Sequence, residues 1–374
     1  MFYESNERLD MPQVSALRPL LLRPDNFTPP ARTPWGGRNI TGRYKAGVGL
    51  PAALANQAVG EAWELSFGPE LPSRTLEGRL LRELVKDDLV GYLGPEAGLG
   101  ASALLVKWLD AADELSVQIH PAVDDPALGA DETGKPECWY IVACEPDAGI
   151  YLGLQPGVSA AAMRSALESG ADVSALLRFR AVKPGDFYLL QPGLPHAVGR
   201  GVTLVEPQYV APGKKGLTLR YWDWNRRYDA AGKPDAHGCG RELHVERALS
   251  VTDWALASDA NWLARQRTAL GPADCAAAAR CEPLCDAEGG GAPVRSDYLR
   301  AARLAGSGNV RLPEWDTLSA LTVIEGHAVL RGSFGSVRVD HGSTAAIPAQ
   351  LPGLECELTQ AHALLSSVVA VTRN

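Results

Sequence analysis

Four side chains of this 374-residue chain carry the donor atoms of a metal site: Gln118, His120, Glu137 and His196. Gln118 and His120 stand two apart in the stretch Leu115-Ser-Val-Gln-Ile-His-Pro121. On an extended strand that spacing puts both on one face together with Ser116, while Leu115, Val117 and Ile119 take the other. A polar row of this kind ordinarily marks the wet side of a sheet. It gains a second reading when other edges of the chain can deliver ligands to the same point. Two imidazoles, one carboxylate and one amide oxygen form a borderline-hard N/O set that suits Zn2+ and is also compatible with Mn2+, Fe2+ and Co2+. Without cysteine, and with a neutral amide in one position, the set has the chemistry of an open catalytic centre rather than a closed structural one. Three cations accompany it. Lys135 lies two residues before Glu137, Lys107 sits in the apolar run Leu104–Leu109, and Arg220 lies in the run 217–221. Strand-borne cations beside a metal point to an anionic, phosphorylated substrate and to negative charge that develops during reaction.

Several elements must position these groups. Leu104–Leu109 and Leu115–His120, separated by Asp-Ala-Ala-Asp-Glu, read as an antiparallel hairpin. Gly60–Phe67 reads as a strand that turns Glu61 or Glu64 inward, and Glu137–Val142 as a strand entered through Gly134-Lys135-Pro136. Gly185–Leu190 runs into Gln191-Pro192-Gly193-Leu194-Pro195-His196, a turn that delivers a histidine, and Val202–Pro207 and Leu217–Trp222 are further strands. Apolar residues at helical spacing predict a helix over Leu80–Val90, and the alanine- and leucine-rich residues 159–178 predict one or two helices in an insertion at about 156–180. Asn261–Pro293 lacks periodicity and reads as a boundary or a variable insertion. Leu318–Val371 returns to short strands, with turns at Glu325-Gly326, Gly332, Gly335 and Asp340-His341-Gly342.

An internal comparison organises these pieces. Gly185, five residues, a Pro-Gly turn and then His196 form the second half of a cupin-type metal motif. Gly342 opens a similar run with Pro348-Ala349, but the position eleven residues on is Gly353, not histidine. The expected fold is mainly β: two cupin-type (jelly-roll) barrels with a helical insertion. An entry arm (1–30) would precede a catalytic barrel (31–255) and a metal-free, cupin-like barrel (256–374).

Bulk properties narrow the function. A net charge of −8 and a pI near 5.5 leave no broad basic surface for nucleic acid. No apolar run is long enough for a membrane span. Seven irregularly spaced cysteines, and an N-terminus without the charged start and apolar centre of a signal peptide, fit a reduced, cytoplasmic protein. Cys275, Cys281 and Cys285, with Cys239 upstream, match no zinc-knuckle spacing. Monomer and homodimer are equally compatible with the sequence.

Read together, Leu-Ser-Val-Gln-Ile-His-Pro (115–121), Gly-Lys-Pro-Glu-Cys-Trp-Tyr (134–140), Pro-Gly-Leu-Pro-His-Ala (192–197), Glu206-Pro-Gln208 and Leu-Thr-Leu-Arg-Tyr-Trp-Asp-Trp (217–224) occur in one order. Trp35-Gly36-Gly37, the run 60–66 and Arg241-Glu-Leu-His244 accompany them. The chain resembles the type I mannose-6-phosphate isomerases (phosphomannose isomerases) of the compact bacterial kind, over roughly residues 31–250. The resemblance implies a cupin fold with one Zn2+ per chain held by Gln118, His120, Glu137 and His196. It implies that Ser116, Lys107, Lys135, Glu206 and Arg220 line the pocket of a hexose phosphate. It also implies interconversion of mannose 6-phosphate and fructose 6-phosphate through a cis-enediol. Lys135 is the first choice for the base, because a neighbouring cation lowers a lysine pKa. Arg220 does not titrate and is cast as a stabiliser of negative charge or an aid to ring opening. The loop Tyr209–Lys215 departs from the polar pair common in relatives. Two alternatives remain at this point: a non-catalytic sugar-phosphate-binding bicupin, and another metal-cupin sugar isomerase. An Fe2+ dioxygenase is disfavoured by the amide ligand.

Overall fold

Alternation with period two is written through the middle of the chain, and it makes a sheet with two buried faces. The computed structural model describes residues 17–370 and is mainly β. In the strand Glu137–Cys144, Cys138, Tyr140 and Val142 enter one apolar cluster while Trp139 and Ile141 enter another. The same division holds in Leu104–Asp110, where Leu104, Val106 and Trp108 face the first cluster and Leu109 the second. These strands belong to a six-stranded sheet, in the order Arg267–Ala269, Asp186–Leu190, Glu137–Cys144, Val202–Tyr209, Leu104–Asp110, Glu61–Leu65.

A five-stranded sheet lies over one of its faces, in the order Leu219–Trp222, Val117–Ile119, His196–Val198, Gly149–Leu154, Leu177–Ala181. The register sets Gln118 opposite both His196 and Arg220, so these three side chains share a face. The alternate residues point outward onto the helix Val245–Val251. Tyr221 on that outer side donates its hydroxyl to the Ala248 carbonyl (3.0 Å), and Val117, Ile119, Leu219 and Ala248 lie in one cluster. The polar row of the Val117–Ile119 strand therefore faces the interior between two sheets.

The other face of the six-stranded sheet packs on an eight-stranded one. That sheet runs Leu20–Leu21, Thr344–Ile347, Ser319–Gly332, Glu355–Val368, Leu299–Val310, Arg280–Asp286, Val294–Arg295, with Gly335–Asp340 paired to Ser319–Gly332. One apolar cluster contains residues of both, among them Val106, Tyr140 and Val205 from one sheet and Leu299, Ala320 and Leu364 from the other. Two polar pairs are buried at this joint. Tyr140 Oη lies 2.7 Å from His362 Nε2, and the buried Lys45 ammonium meets Glu64 at 2.7 Å.

Several sequence expectations are corrected. Leu104–Asp110 and Val117–Ile119 do not form a hairpin, because the intervening turn carries the chain from the six-stranded to the five-stranded sheet. Leu80–Val90 is not one helix. Asp88 leaves the helical conformation and caps a new turn, accepting from the Gly91 N–H (2.8 Å), so Leu81–Leu84 and Leu89–Leu93 are separate. Residues 159–178, by contrast, hold the expected helix as Ala160–Glu168, capped by Ser159, and a 3-10 turn at Ser174–Leu176 before the strand Leu177–Ala181. Asn261–Pro293 contributes strands to two sheets, Arg267–Ala269 to the six-stranded and Arg280–Asp286 to the eight-stranded one. The C-terminal strands are long, Ser319–Gly332 and Glu355–Val368 having 14 residues each, and Glu325-Gly326 is a register shift within one of them rather than a turn.

Leu20–Leu21, from the expected arm, pairs with Thr344–Ile347, and residues 1–16 of that arm lie outside the described residues. The internal comparison also changes anchor. Pro192-Gly193 and Pro352-Gly353 make matching turns, and three residues after each glycine stand His196 and Cys356. No described helix is long and apolar enough to cross a membrane.

Candidate active site

Each ligand of the expected metal set arrives on a different part of the two facing sheets. His120 follows the Val117–Ile119 strand, Glu137 opens Glu137–Cys144, and His196 opens His196–Val198. Two local contacts bring them together. Gly134 lies against the backbone of Pro121 and Ala122, where a Cβ would stand 2.4 Å from Pro121 O, so only glycine lets the approach to Glu137 press this close to His120. The turn before His196 is tied to the same place, because the Gly193 N–H donates to the His120 carbonyl (2.9 Å).

His120 Nε2 lies 3.2 Å and His196 Nε2 3.5 Å from Glu137 Oε2, and all three side chains are buried. Among the described residues, His120, Glu137 and His196 are the one group of three or more such side chains whose donor atoms could hold a metal ion; these atoms lie within 4.8 Å of one another. The other nitrogen of each ring is engaged with the main chain: His120 Nδ1 with Leu217 O (2.9 Å), His196 Nδ1 with Leu194 O (2.8 Å). Carbonyls only accept, so both Nδ1 atoms carry the proton and both Nε2 atoms present lone pairs. His120 Nε2 is buried without a hydrogen-bond partner. Two lone pairs and a carboxylate facing one another in a buried place repel unless a cation sits among them. Burial holds the His120 pKa below its usual value. It takes His196 down to about 3, with His120 adding to the effect, so protonated imidazoles do not fill that role near neutral pH. The donor set fits a divalent metal ion.

Gln118, the fourth expected ligand, stands beside His196 in the register and donates Nε2–H to Ser116 Oγ (3.2 Å), leaving Oε1 as its lone-pair atom. Ser116 Oγ also accepts from Arg220 Nε (3.2 Å), so Ser116, Gln118 and Arg220 form one polar row beside the imidazoles. Arg220 is held further by the Glu242 carbonyl (2.8 Å), and its backbone N–H donates to His244 Nδ1 (3.1 Å).

The facing sheet supplies the acids and lysines. Lys135 Nζ lies 2.8 Å from Glu137 Oε1, and Gln208 Nε2 donates to the same oxygen. Glu206, two residues earlier on its strand, accepts from Trp139 Nε1 (2.8 Å) and stands opposite Lys107 in the register. Lys107 is 3.7 Å from Glu61 Oε2 and lies over the Trp63 ring, 4.6 Å from its centre. Burial, reinforced by the charge of Glu137, pushes the Glu206 carboxyl up to about 8 against the pull of both lysines. Burial likewise pushes Glu137 up, but the positive charges that can stand beside it, on the imidazoles when protonated and on Lys135, hold it well below the usual carboxylate range. For Lys135, whose expected pKa lowering depends on a bound cation, the protein's own groups act in the opposite direction. Burial lowers its pKa, yet Glu137, Glu206 and Glu61 outweigh that and raise it, so the protein's own charges keep this amine cationic.

All nine expected site residues thus line the space between the same two sheets. Sequence reasoning missed Gln208, Trp139 and Trp63 as partners of Glu137, Glu206 and Lys107. Strand period two would have found Gln208 and Trp139, each two residues beyond an assigned residue on the same face. The expected route from Lys107 to the site through a hairpin is replaced by its cross-strand pairing with Glu206.

A family model described as phosphomannose isomerase type I, catalytic domain, matches residues 31–144. The probable mannose-6-phosphate isomerase GmuF of Bacillus subtilis is 33% identical over 224 residues, 58% of this chain and 64% of that protein. The matched stretch is thus less than two thirds of that relative's length. The mannose-6-phosphate isomerase of Streptococcus mutans is 31% identical over 237 residues, 62% of this chain and 69% of that protein. Among solved structures, a mannose 6-phosphate isomerase from Bacillus subtilis superposes with a TM-score of 0.68 at 25% identity, covering 93% of this chain and 99% of the other. With the imidazole–carboxylate cluster on these sheets and sequence identity above 30% along more than two thirds of one relative, the chain belongs to the type I phosphomannose isomerase family.

Proposed function

We propose that the protein is an aldose–ketose isomerase that interconverts mannose 6-phosphate and fructose 6-phosphate, with one zinc ion held by Gln118, His120, Glu137 and His196. We read each β half as a cupin-type jelly-roll barrel, the N-terminal one catalytic and the C-terminal one without metal. One observation carries the functional reading: two Nε2 lone pairs converge on the Glu137 carboxylate in a buried place that needs a cation. When bound, the ion supplies Lewis-acid polarisation of the sugar's C1 and C2 oxygens.

The remaining chemistry belongs to the chain. Isomerisation removes the proton on C2, passes through a cis-enediol and places a proton on C1, while a hydroxyl proton moves from O2 to O1. That requires a carrier able to gain and lose a proton near neutral pH. Glu206, with its carboxyl pushed up to about 8, has that property, and Lys135 stands in the same cluster as a cation. We therefore assign Glu206 and Lys135 together to proton movement, Lys135 also offsetting negative charge that develops on the sugar oxygens. Arg220 stays positive and serves the oxygens or the opening of the sugar ring. Ser116, held between Gln118 and Arg220, and Lys107 contact the substrate and its phosphate.

The test is direct. The purified protein is expected to hold about one metal ion per chain and to form fructose 6-phosphate from mannose 6-phosphate. A chelator and His196→Ala are each expected to remove both metal and turnover. Absence of metal, or turnover untouched by both treatments, would overturn the reading.

A further inference from the structure

The loop Tyr209–Lys215 runs into a strap, Lys215-Gly-Leu217, laid across the approach to Glu137. Lys215-Gly216 pairs in parallel with Glu132-Thr133, fixed by Lys215 N–H to Asp131 O (2.8 Å) and Leu217 N–H to Thr133 O (2.9 Å). The strap touches the site twice. The Leu217 carbonyl is the partner of His120 Nδ1, and the Gly216 α-carbon lies on the aliphatic stem of Lys135. A Cβ at position 216 would stand 2.9 Å from Lys135 Cδ, 3.3 Å from Lys135 Cγ and 3.2 Å from Val210 Cγ2.

From this juxtaposition we infer that Gly216 is a positioning residue: the strap clamps the Lys135 stem so that its amine meets Glu137, and only a residue without a side chain leaves the stem room. The inference rests on the proposed function for the role of Lys135, but the placement itself is structural. Position 216 does not require glycine for its backbone angles, since it lacks the positive φ of its neighbour Gly213 (+74°). The side chain that must yield to a new Cβ is a lysine stem, which moves more cheaply than backbone. A methyl group at 216 is therefore relieved by displacing Lys135, not by unfolding.

The experiment compares Gly216→Ala, Val210→Ala/Gly216→Ala and Gly213→Asn in the metal-loaded full chain. Gly213 is the loop control, because nothing lies within 4 Å of an added Cβ there and asparagine tolerates its backbone angle. Gly216→Ala is expected to lower kcat about 10–100-fold, the cost of roughly an ångström of misplacement. KM is expected to stay within about 3-fold, as for a group that acts in the transition state. Metal content should match the parent. The double variant should remain impaired, Gly213→Asn should match the parent, and a crystal structure of Gly216→Ala should show Lys135 withdrawn from Glu137.

An unchanged kcat for Gly216→Ala would overturn the inference. So would a loss of kcat that tracks metal or folded protein, an equal loss in Gly213→Asn, or recovery in the double variant. If the parent does not turn over mannose 6-phosphate, the functional proposal fails, and the crystallographic position of Lys135 alone decides the strap: displaced sustains it, unmoved overturns it.

Discussion

At the scale of single residues, the centre depends on side chains that fix the protonation and aim of others. Two backbone carbonyls set both imidazole tautomers, and Lys135 and Gln208 share Glu137 Oε1 while Oε2 faces the imidazoles. Gln208→Leu removes a neutral donor from a buried carboxylate at nearly constant volume. Metal affinity is expected to fall about 10–100-fold, as for other outer partners of metal ligands, and competition with a chelator of known affinity measures it. An unchanged affinity would reduce Gln208 to a packed core amide. The His120, Glu137 and His196 cluster was legible from residue types and strand spacing, because donor chemistry is local. The pull of Glu137 on Lys135 is equally local, but the further raising by Glu206 and Glu61, which reach it from other strands, was not legible.

At the scale of elements, short segments between strands carry groups whose charge state differs from that of the unfolded chain. Glu96, in the 3-10 segment Gly94–Leu99, accepts from Ser102 Oγ (2.7 Å) and the Ala103 N–H (2.7 Å) at the start of the Leu104–Asp110 strand. Burial raises its pKa to about 7 despite both hydrogen bonds. The folded state therefore keeps a proton that the unfolded chain gives up near pH 4.5. Stability falls as pH rises between 4.5 and 7 and stays lowered above that window. Glu96→Gln preserves two hydrogen bonds, its amide oxygen accepting from Ala103 and its NH2 donating to Ser102. It is expected to match the parent at pH 4.5 and exceed it at pH 8 by on the order of 1–3 kcal/mol. Urea unfolding at the two pH values measures this, and an equal difference at both would refute it. Strands and the capped helix Ala160–Glu168 were readable from period and composition. The false hairpin shows the limit: two apolar runs joined by a short polar turn look the same whether they pair or part into facing sheets.

At the scale of the whole molecule, the long-range order of strands was the least readable part. The placement of Arg267–Ala269 beside Asp186–Leu190, or of Leu20–Leu21 beside Thr344–Ile347, depends on partners more than 75 residues away and leaves no local periodic mark. What results is a six-stranded sheet whose two faces serve different ends, one closing on the site and the other on the eight-stranded sheet. The strand that opens with Glu137 is hydrogen-bonded along both edges and buried on both faces as far as Ile141. Amide protons of that strand are therefore expected to exchange with deuterium only by global unfolding. Mass-resolved exchange of peptides covering 137–141 is expected to be as slow as the slowest peptides of the eight-stranded sheet. Earlier exchange at 137–141 would mean that the halves open separately. The carboxylate at the centre of the site is thus mounted on a strand bonded along both edges and buried on both faces, and any motion needed to admit the proposed substrate is expected of the loops around it.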